Sequence, residues 1–407
     1  MFNQLNIRKL DTYVVNMLCI LTFILPFAWW IATPFIYITI IVAVFDLVFN
    51  QRRYRKLTMH GKLFILWMIL AAISIYQSPK ISESFYNYRV LFAQYAGLYF
   101  ISYFYINNVE KLRKIIYAII ASGICVAFYG IYQYIEGVSV LTDASKWVDF
   151  AEFPKLKDRV FSTLANPNLL ATFLIMVICL STGCILDGVN KLNNKVLVYL
   201  ALISSLICLL FTFSRGAWVT LILIMCALGL LINLRILYVL FGIVLISLLT
   251  MKDMIMQRIF SIFNQTDTSA ALRWAYWDST IQMIEWNHFY GIGWSAYQYV
   301  YPEYDYFINN PDITIYHAHN MYLHMIAEIG IIGGLVYIFT FIYAIRWLYY
   351  KKNICNVNKG CIISVIAVIF AVMLMGVTDY PLFNIQISCV FWLLMGSVFG
   401  ALNNIKT

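Results

Sequence analysis

Three of the protein's five histidines, His317, His319 and His324, fall within Tyr316-His-Ala-His-Asn-Met-Tyr-Leu-His324, where a long polar loop runs into an apolar segment. A neutral imidazole at such a boundary can accept a proton from a hydroxyl group. Arg215, in Phe211-Thr-Phe-Ser-Arg-Gly-Ala-Trp218, lies in a tight hairpin between two apolar runs. A guanidinium there is costly unless it meets an anion or snorkels to the interface, and position alone does not choose between these. Gly216 beside it permits close backbone approach. Arg273 has Trp277 one helical turn later, which fits a cation–π pair or a surface charge. If Arg273 faces Arg215 instead, the two forked cations make a bidentate clamp for a phosphate or diphosphate.

His319 can equally be an interfacial or helix-capping residue, and Asn320 is an alternative cap for the helix that follows. Projected at 100° per residue, Leu323, Ile326, Gly330 and Gly334 fall within about 40° of His319, with Glu328 on the opposite face. His317 and His324 read as supporting residues. No cysteine or well-spaced carboxylate completes a ligand set around the histidines, so no metal is expected. Glu303-Tyr-Asp305 has the look of the short acidic pair of metal-dependent glycosyltransferases, but such pairs are frequent and a solvated loop is the simpler reading.

The elements that must position these residues are membrane helices. The chain has 407 residues, 62% hydrophobic and 12% charged, with no alternating pattern of the barrel kind. Apolar runs at about 12–31, 34–50, 62–77, 87–107, 112–135, 167–187, 195–213, 216–233, 235–251, 320–348, 359–379 and 383–403 predict an all-α polytopic protein of about twelve transmembrane helices. The first run lacks a cleavage site and reads as an uncleaved first helix. Most of the 28 Lys and Arg fall in short loops on one side, which places both termini in the cytoplasm, and most of the 19 acidic residues fall on the other. The formal charge of +9 is spread over these loops and forms no basic face, so no nucleic-acid partner is expected. The nine cysteines lie in apolar segments or a basic loop and read as reduced packing residues.

Two outer loops are long. The first, about 136–166, contains Lys146-Trp-Val-Asp149 and ends in a stretch carrying Arg159 and Asn166-Pro-Asn168. The second, about 252–319, carries Trp274, Trp277, Trp286 and Trp294 and is too aromatic to be disordered. Between Thr268 and Trp286 it has Leu272, Ala275, Tyr276, Ile281 and Ile284 at helical spacing, which predicts an amphipathic helix on the outer membrane surface. The loop is expected to roof a cavity over the bundle. The whole chain, 1–407, reads as a single membrane domain.

The residues resemble those of the O-antigen ligase family, bacterial membrane glycosyltransferases that share a domain with O-antigen polymerases and O-oligosaccharyltransferases. That family's pattern is His, then Asn, Ser or Gln, nine residues, Gly, two residues, and Gly, Thr or Tyr. Here His319-Asn320, the nine residues from Met321 to Ile329, Gly330 and Gly333 satisfy it. Ser214-Arg-Gly216 resembles the family's arginine hairpin, Arg273 with Trp277 and Gly291-Ile-Gly293 resembles the start and end of its loop helix, and Asn166-Pro-Asn168 resembles the turn before span six. The resemblance covers about 155–350 and no motif in the first five spans. It implies a donor glycan on undecaprenyl diphosphate, cut on the outer face of the bacterial cytoplasmic membrane and passed to a hydroxyl of a lipid or glycan acceptor. Arg215 and Arg273 would bind the diphosphate and His319 would position or deprotonate the acceptor, with Asn320, Gly330, Gly333, Arg159, Asn166, Trp277 and His317 supporting. Neither metal nor other cofactor is implied. A polymerase or a protein O-oligosaccharyltransferase would need the same residues. A flippase or transporter would more naturally carry mid-membrane charges or internal repeats.

Overall fold

A computed structural model describes residues 2–49, 56–137, 159–164, 166–189, 191–250, 256, 268–306, 314–354 and 359–403. Lys146-Trp-Val-Asp149, Cys355 and parts of both long loops lie outside them. Fourteen principal helices follow in order: α1 (Phe2–Ile24), α2 (Trp29–Phe49), α3 (Met59–Ser74), α4 (Ile81–Arg89), α5 (Gly97–Tyr105), α6 (Val109–Glu136), α7 (Pro167–Leu186), α8 (Leu192–Phe211), α9 (Arg215–Leu231), α10 (Arg235–Thr250), α11 (Thr268–Trp286), α12 (Met321–Ile354), α13 (Lys359–Met375) and α14 (Ile385–Leu402). No strand occurs among the described residues. Helix is what an apolar chain in hydrocarbon requires, because each backbone donor and acceptor must be satisfied within the segment.

Seven of these helical segments are long and apolar enough to cross a membrane: Trp29–Phe49, Met59–Gln77, Val109–Glu136, Pro167–Leu186, Leu192–Phe211, Met321–Ile354 and Ile385–Leu402. Four more, Leu10–Ile24, Arg215–Leu231, Arg235–Ile246 and Lys359–Met375, are shorter apolar helices. The remaining expected span, 87–107, is helical but interrupted, with π-helical turns at Val90–Ala96 joining α4 to α5. The described chain is thus an all-helical integral membrane protein.

Sequence sets the helix ends. Asn108, Asn166 and Asn384 each cap a helix by accepting amides of its first turn, Pro167 takes the first position of α7 where no amide is needed, and Gly137 ends α6 at φ 65°. Helices α7 and α14 are buried almost throughout and form the centre of the bundle. Helix α7 packs on α13 and α8, α14 on α5, and α12 on α3, while α10 lies at the edge against α9. The described cysteines are free, and Cys125 among them is exposed.

A smaller core joins α11 to the segments that follow it. Tyr276 and Met283 of α11 pack with Ile292, Ala296, Tyr297, Tyr301, Ile315 and Ala318. Helix α11 has the expected bounds, but its buried stripe differs from the expected one. Ala275, Tyr276, Ser279, Thr280 and Met283 face inward, whereas Ile281 is 44% exposed. Apolarity alone misses the inward face because two of its members are hydroxyl residues, one of them Thr280, which pairs with Tyr297 Oη at 2.7 Å.

Candidate functional site

The site forms where the ends of five elements meet, and its histidines are set by the start of α12. Asn320 is the helix cap: its Oδ1 accepts the amides of Tyr322 and Leu323, each at 3.0 Å. Its own amide group donates to Val377 O at 3.0 Å, and Met321 N donates to Gly376 O at 2.8 Å. The start of α12 is therefore stapled to the turn after α13, and that turn carries Asp379. His319 precedes the helix at φ 47°, a left-handed conformation uncommon for a side-chain-bearing residue. Its amide donates to His317 Nδ1 at 3.2 Å, its ring stacks on Tyr276 at 5.5 Å, and its carbonyl accepts Trp277 Nε1 at 3.4 Å.

His319 Nδ1 lies 3.3 Å from Asp379 Oδ1, with the histidine side chain 31% exposed and the aspartate 8%. Asp379 is the residue that sequence reasoning missed. One signal was available, since it is the only acidic residue after Glu328 and sits between two apolar helices, where a lone carboxylate is expensive. Its carboxylate also accepts Tyr380 N at 2.8 Å and Asn168 Nδ2 at 3.1 Å. Burial opposes its ionisation, but the His319 hydrogen bond and the charges of His319, His317 and Arg273 outweigh burial and hold the carboxyl well below its usual range. Burial, with the positive charge of His319, holds His317 well below the ordinary imidazole range.

Asn168 is a second hub. Its Oδ1 accepts Ser214 Oγ at 2.9 Å and Arg159 Nη2 at 3.0 Å, while Arg159 Nε donates to Thr212 O at 2.9 Å. Asn166 acts one step back, capping α7 and so fixing Asn168. Arg215 is the first residue of α9, with only three residues between it and the end of α8, and the turn between the helices is closed by Phe213 at φ 49°. A methyl group on Gly216 would come within 3.3 Å of Thr378 Oγ1, so this helix start abuts the Asp379 turn. Arg273 comes from the other side, close enough for its charge to act on Asp379, His317 and Tyr276. Its Nε is buried without a hydrogen-bond partner among the described residues. The elements bearing both arginines thus border one carboxylate.

Gly330 and Gly333 act through the backbone. Helix α12 breaks at Gly330, with φ 74° and ψ 170°. The segment after α11 fills the break: Ile292 N donates to Ala327 O at 2.8 Å, Gly293 N to Glu328 O at 3.0 Å, and Ile331 N to His288 O at 2.9 Å. A side chain at Gly330 would collide with Phe289 O, and one at Gly291 with Glu328 O. One at Gly333 would press on Ile329. The break corrects the single-face projection, because the 100° phase does not run through Gly330 and His319 lies outside the helix. Glu328 is buried on its own pair, with His324 Nε2 at 3.5 Å, and accepts Tyr297 N at 3.3 Å.

The structure also corrects the premise behind the expected lack of metal. His317, His319 and Asp379 each offer a donor atom, all within 4.8 Å of one another. The set suits a cation that takes nitrogen and oxygen ligands. Electrostatics points the other way, since Arg273 adds positive charge and the carboxylate already accepts from His319, Tyr380 and Asn168. Glu303 is exposed and joins no such set among the described residues.

No curated protein matches the chain. Residues 200–338, from within α8 to beyond the break in α12, match the family model described as O-antigen ligase. That range holds Arg215, Arg273, His319, Gly330 and Gly333, whereas Arg159, Asn168 and Asp379 reach the site from outside it. The histidine motif and the arginine hairpin therefore lie in the stretch that is similar to the O-antigen ligase model, and this membrane protein is similar there to the glycosyltransferase-like enzymes of that family.

Proposed function

We propose that this protein transfers a glycan from an undecaprenyl-diphosphate-linked donor to a hydroxyl of a lipid or glycan acceptor, on the outer face of the bacterial cytoplasmic membrane, with both termini inside. The observation that carries the reading is the convergence of an Arg273 Nε that is buried without a hydrogen-bond partner among the described residues and of His319, both within the segment matching the O-antigen ligase model, with Asp379, which reaches His319 from outside that segment. An ionised Asp379 can only accept, so it holds the proton on His319 Nδ1 and leaves the Nε2 lone pair available. The acceptor hydroxyl gives its proton to Nε2 as its oxygen bonds to the anomeric carbon. The bond from that carbon to the phosphate oxygen breaks, and its electron pair leaves with the diphosphate. Arg215 and Arg273 stabilise that departing charge, which a good leaving group needs more than protonation. His319 then loses its proton to solvent.

A polymerase of lipid-linked repeats would use the same groups, as would an O-oligosaccharyltransferase. Mass spectrometry of surface glycans from a deletion strain separates the readings. Loss of all capped acceptor is the expected result, whereas a single repeat unit retained on the acceptor identifies a polymerase. Unchanged surface glycans overturn the proposal.

A further inference from the structure

On α11 the residues around the site follow one another in a fixed angular order. At 100° per residue, Arg273 lies about 60° from Tyr276, Trp277 about 40° beyond Arg273, and Trp274 about 60° beyond Trp277. Tyr276 stacks on His319, and Arg273 acts on Asp379. Trp277 is half-buried and bonds the His319 carbonyl. Trp274 closes the arc, 69% exposed and edge-on to Trp277 at 5.0 Å with an interplanar angle of 68°. An exposed indole is often only an interfacial anchor. Trp286, at the other end of the same helix, is 79% exposed and serves as the internal comparison. It lies about 18 Å further along the axis from Trp274.

Resting on the glycosyl-transfer reading above, we propose that Trp274, braced by Trp277, is a stacking platform for a pyranose ring of the donor glycan. Covalent structure supports the assignment, because a sugar attached to a diphosphate held by Arg273 must lie within one ring's width of it, and Trp274 is the next residue. The C–H edges of a pyranose carry slight positive charge, which favours the electron-rich indole face, and stacking tolerates different sugars. Trp274 is thus a donor-binding residue and takes no part in bond making. On this assignment the platform meets the glycan and not the lipid, a difference that the two ligands below read.

The test compares two ligands on purified protein in nanodiscs: the glycan-bearing polyprenyl diphosphate isolated from producing cells, and glycan-free undecaprenyl diphosphate. Trp274→Leu is expected to weaken binding of the glycan-bearing lipid about tenfold and leave the glycan-free lipid unchanged. Trp274→Phe should recover most of the loss, and Trp286→Leu should change neither. Equal weakening of both lipids by Trp274→Leu overturns the proposal in favour of a membrane anchor. A rise in acceptor KM alone overturns it in favour of an acceptor subsite, and no change in any measurement removes the platform. Arg273→Lys separates this from the parent reading: it should weaken both lipids, and if it weakens neither, the diphosphate clamp fails whatever Trp274 does.

Discussion

The cluster around His319 and a second polar cluster at the far end of the bundle obey the same rule with different results. At the far end, Asp46 of α2 accepts Tyr105 Oη at 2.5 Å, Lys111 meets Asp11 at 2.7 Å, and Tyr103 Oη bonds Lys56 O at 2.7 Å. These contacts tie α1, α2, α5 and α6 together, as buried polar groups in a membrane protein must. There the Lys111 ammonium faces a carboxylate, and charges cancel. In the cluster around His319, Arg273 acts on Asp379 and keeps a buried nitrogen without a hydrogen-bond partner among the described residues, and His319 stays partly exposed. Burial of polar groups is therefore common to both clusters. A partly exposed imidazole bonded to a buried carboxylate distinguishes the one around His319.

The strongest way to break the contrast is to alter both ends and measure transfer per folded molecule. Arg215→Lys, Arg273→Lys and His319→Ala should each lose about a hundredfold or more of transfer while remaining folded, because lysine cannot reproduce a forked contact. Lys111→Ala should lower the thermal midpoint and leave specific transfer intact. A well-folded His319→Ala protein with near-normal transfer would remove the base from the site. Next in size, Asp379→Asn keeps a hydrogen-bond acceptor but loses the charge that fixes the His319 tautomer. Its kcat should fall about ten- to a hundredfold with donor binding unchanged, and a fall confined to donor binding would assign Asp379 to the lipid instead.

Gly330→Ala tests the scaffold. The left-handed φ and the collision with Phe289 O should lower the thermal midpoint by about 5 °C or more and reduce transfer in parallel. A stable, inactive protein would contradict the purely architectural role. A smaller effect concerns pH. His317 is held neutral when folded but protonates in the unfolded chain near its ordinary value of 6.5. The unfolded state then binds more protons below that value, so stability is full above it and falls as pH drops from about 7 to about 5. His317→Gln should flatten this acid limb in a melting series, and an unchanged limb would mean the imidazole is not buried neutral. No change at all is expected on adding a chelator to the purified enzyme. Activity that vanishes and returns with a divalent ion would turn His317, His319 and Asp379 into a metal site.

Much of the fold was legible because one requirement, twenty or so apolar residues per crossing, leaves its mark on local sequence. The bounds of α11, the capping role of Asn320 and the hairpin at Arg215 were legible for the same reason, being set within a few residues. Asp379 was not, nor was the bridging role of Asn168, since both gain meaning only when the end of α13 and the start of α7 come beside α12, a pairing that no local pattern encodes. The Gly330 break was hidden differently. An apolar run through a Gly looks continuous, and only the chain segment at 288–293 shows where the freed backbone groups go.

That break has a mechanical consequence. Nine residues of α12 above Gly330 are bonded through their backbone to the segment after α11 and to the turn after α13, while the longer part below runs on through the bundle. If the junction acts as a pivot, tilting of the lower helix in thicker or thinner lipid should be taken up at Gly330 and not at His319. Transfer should accordingly vary little across bilayers of different acyl length, whereas a disulfide staple spanning the junction would make it depend on them.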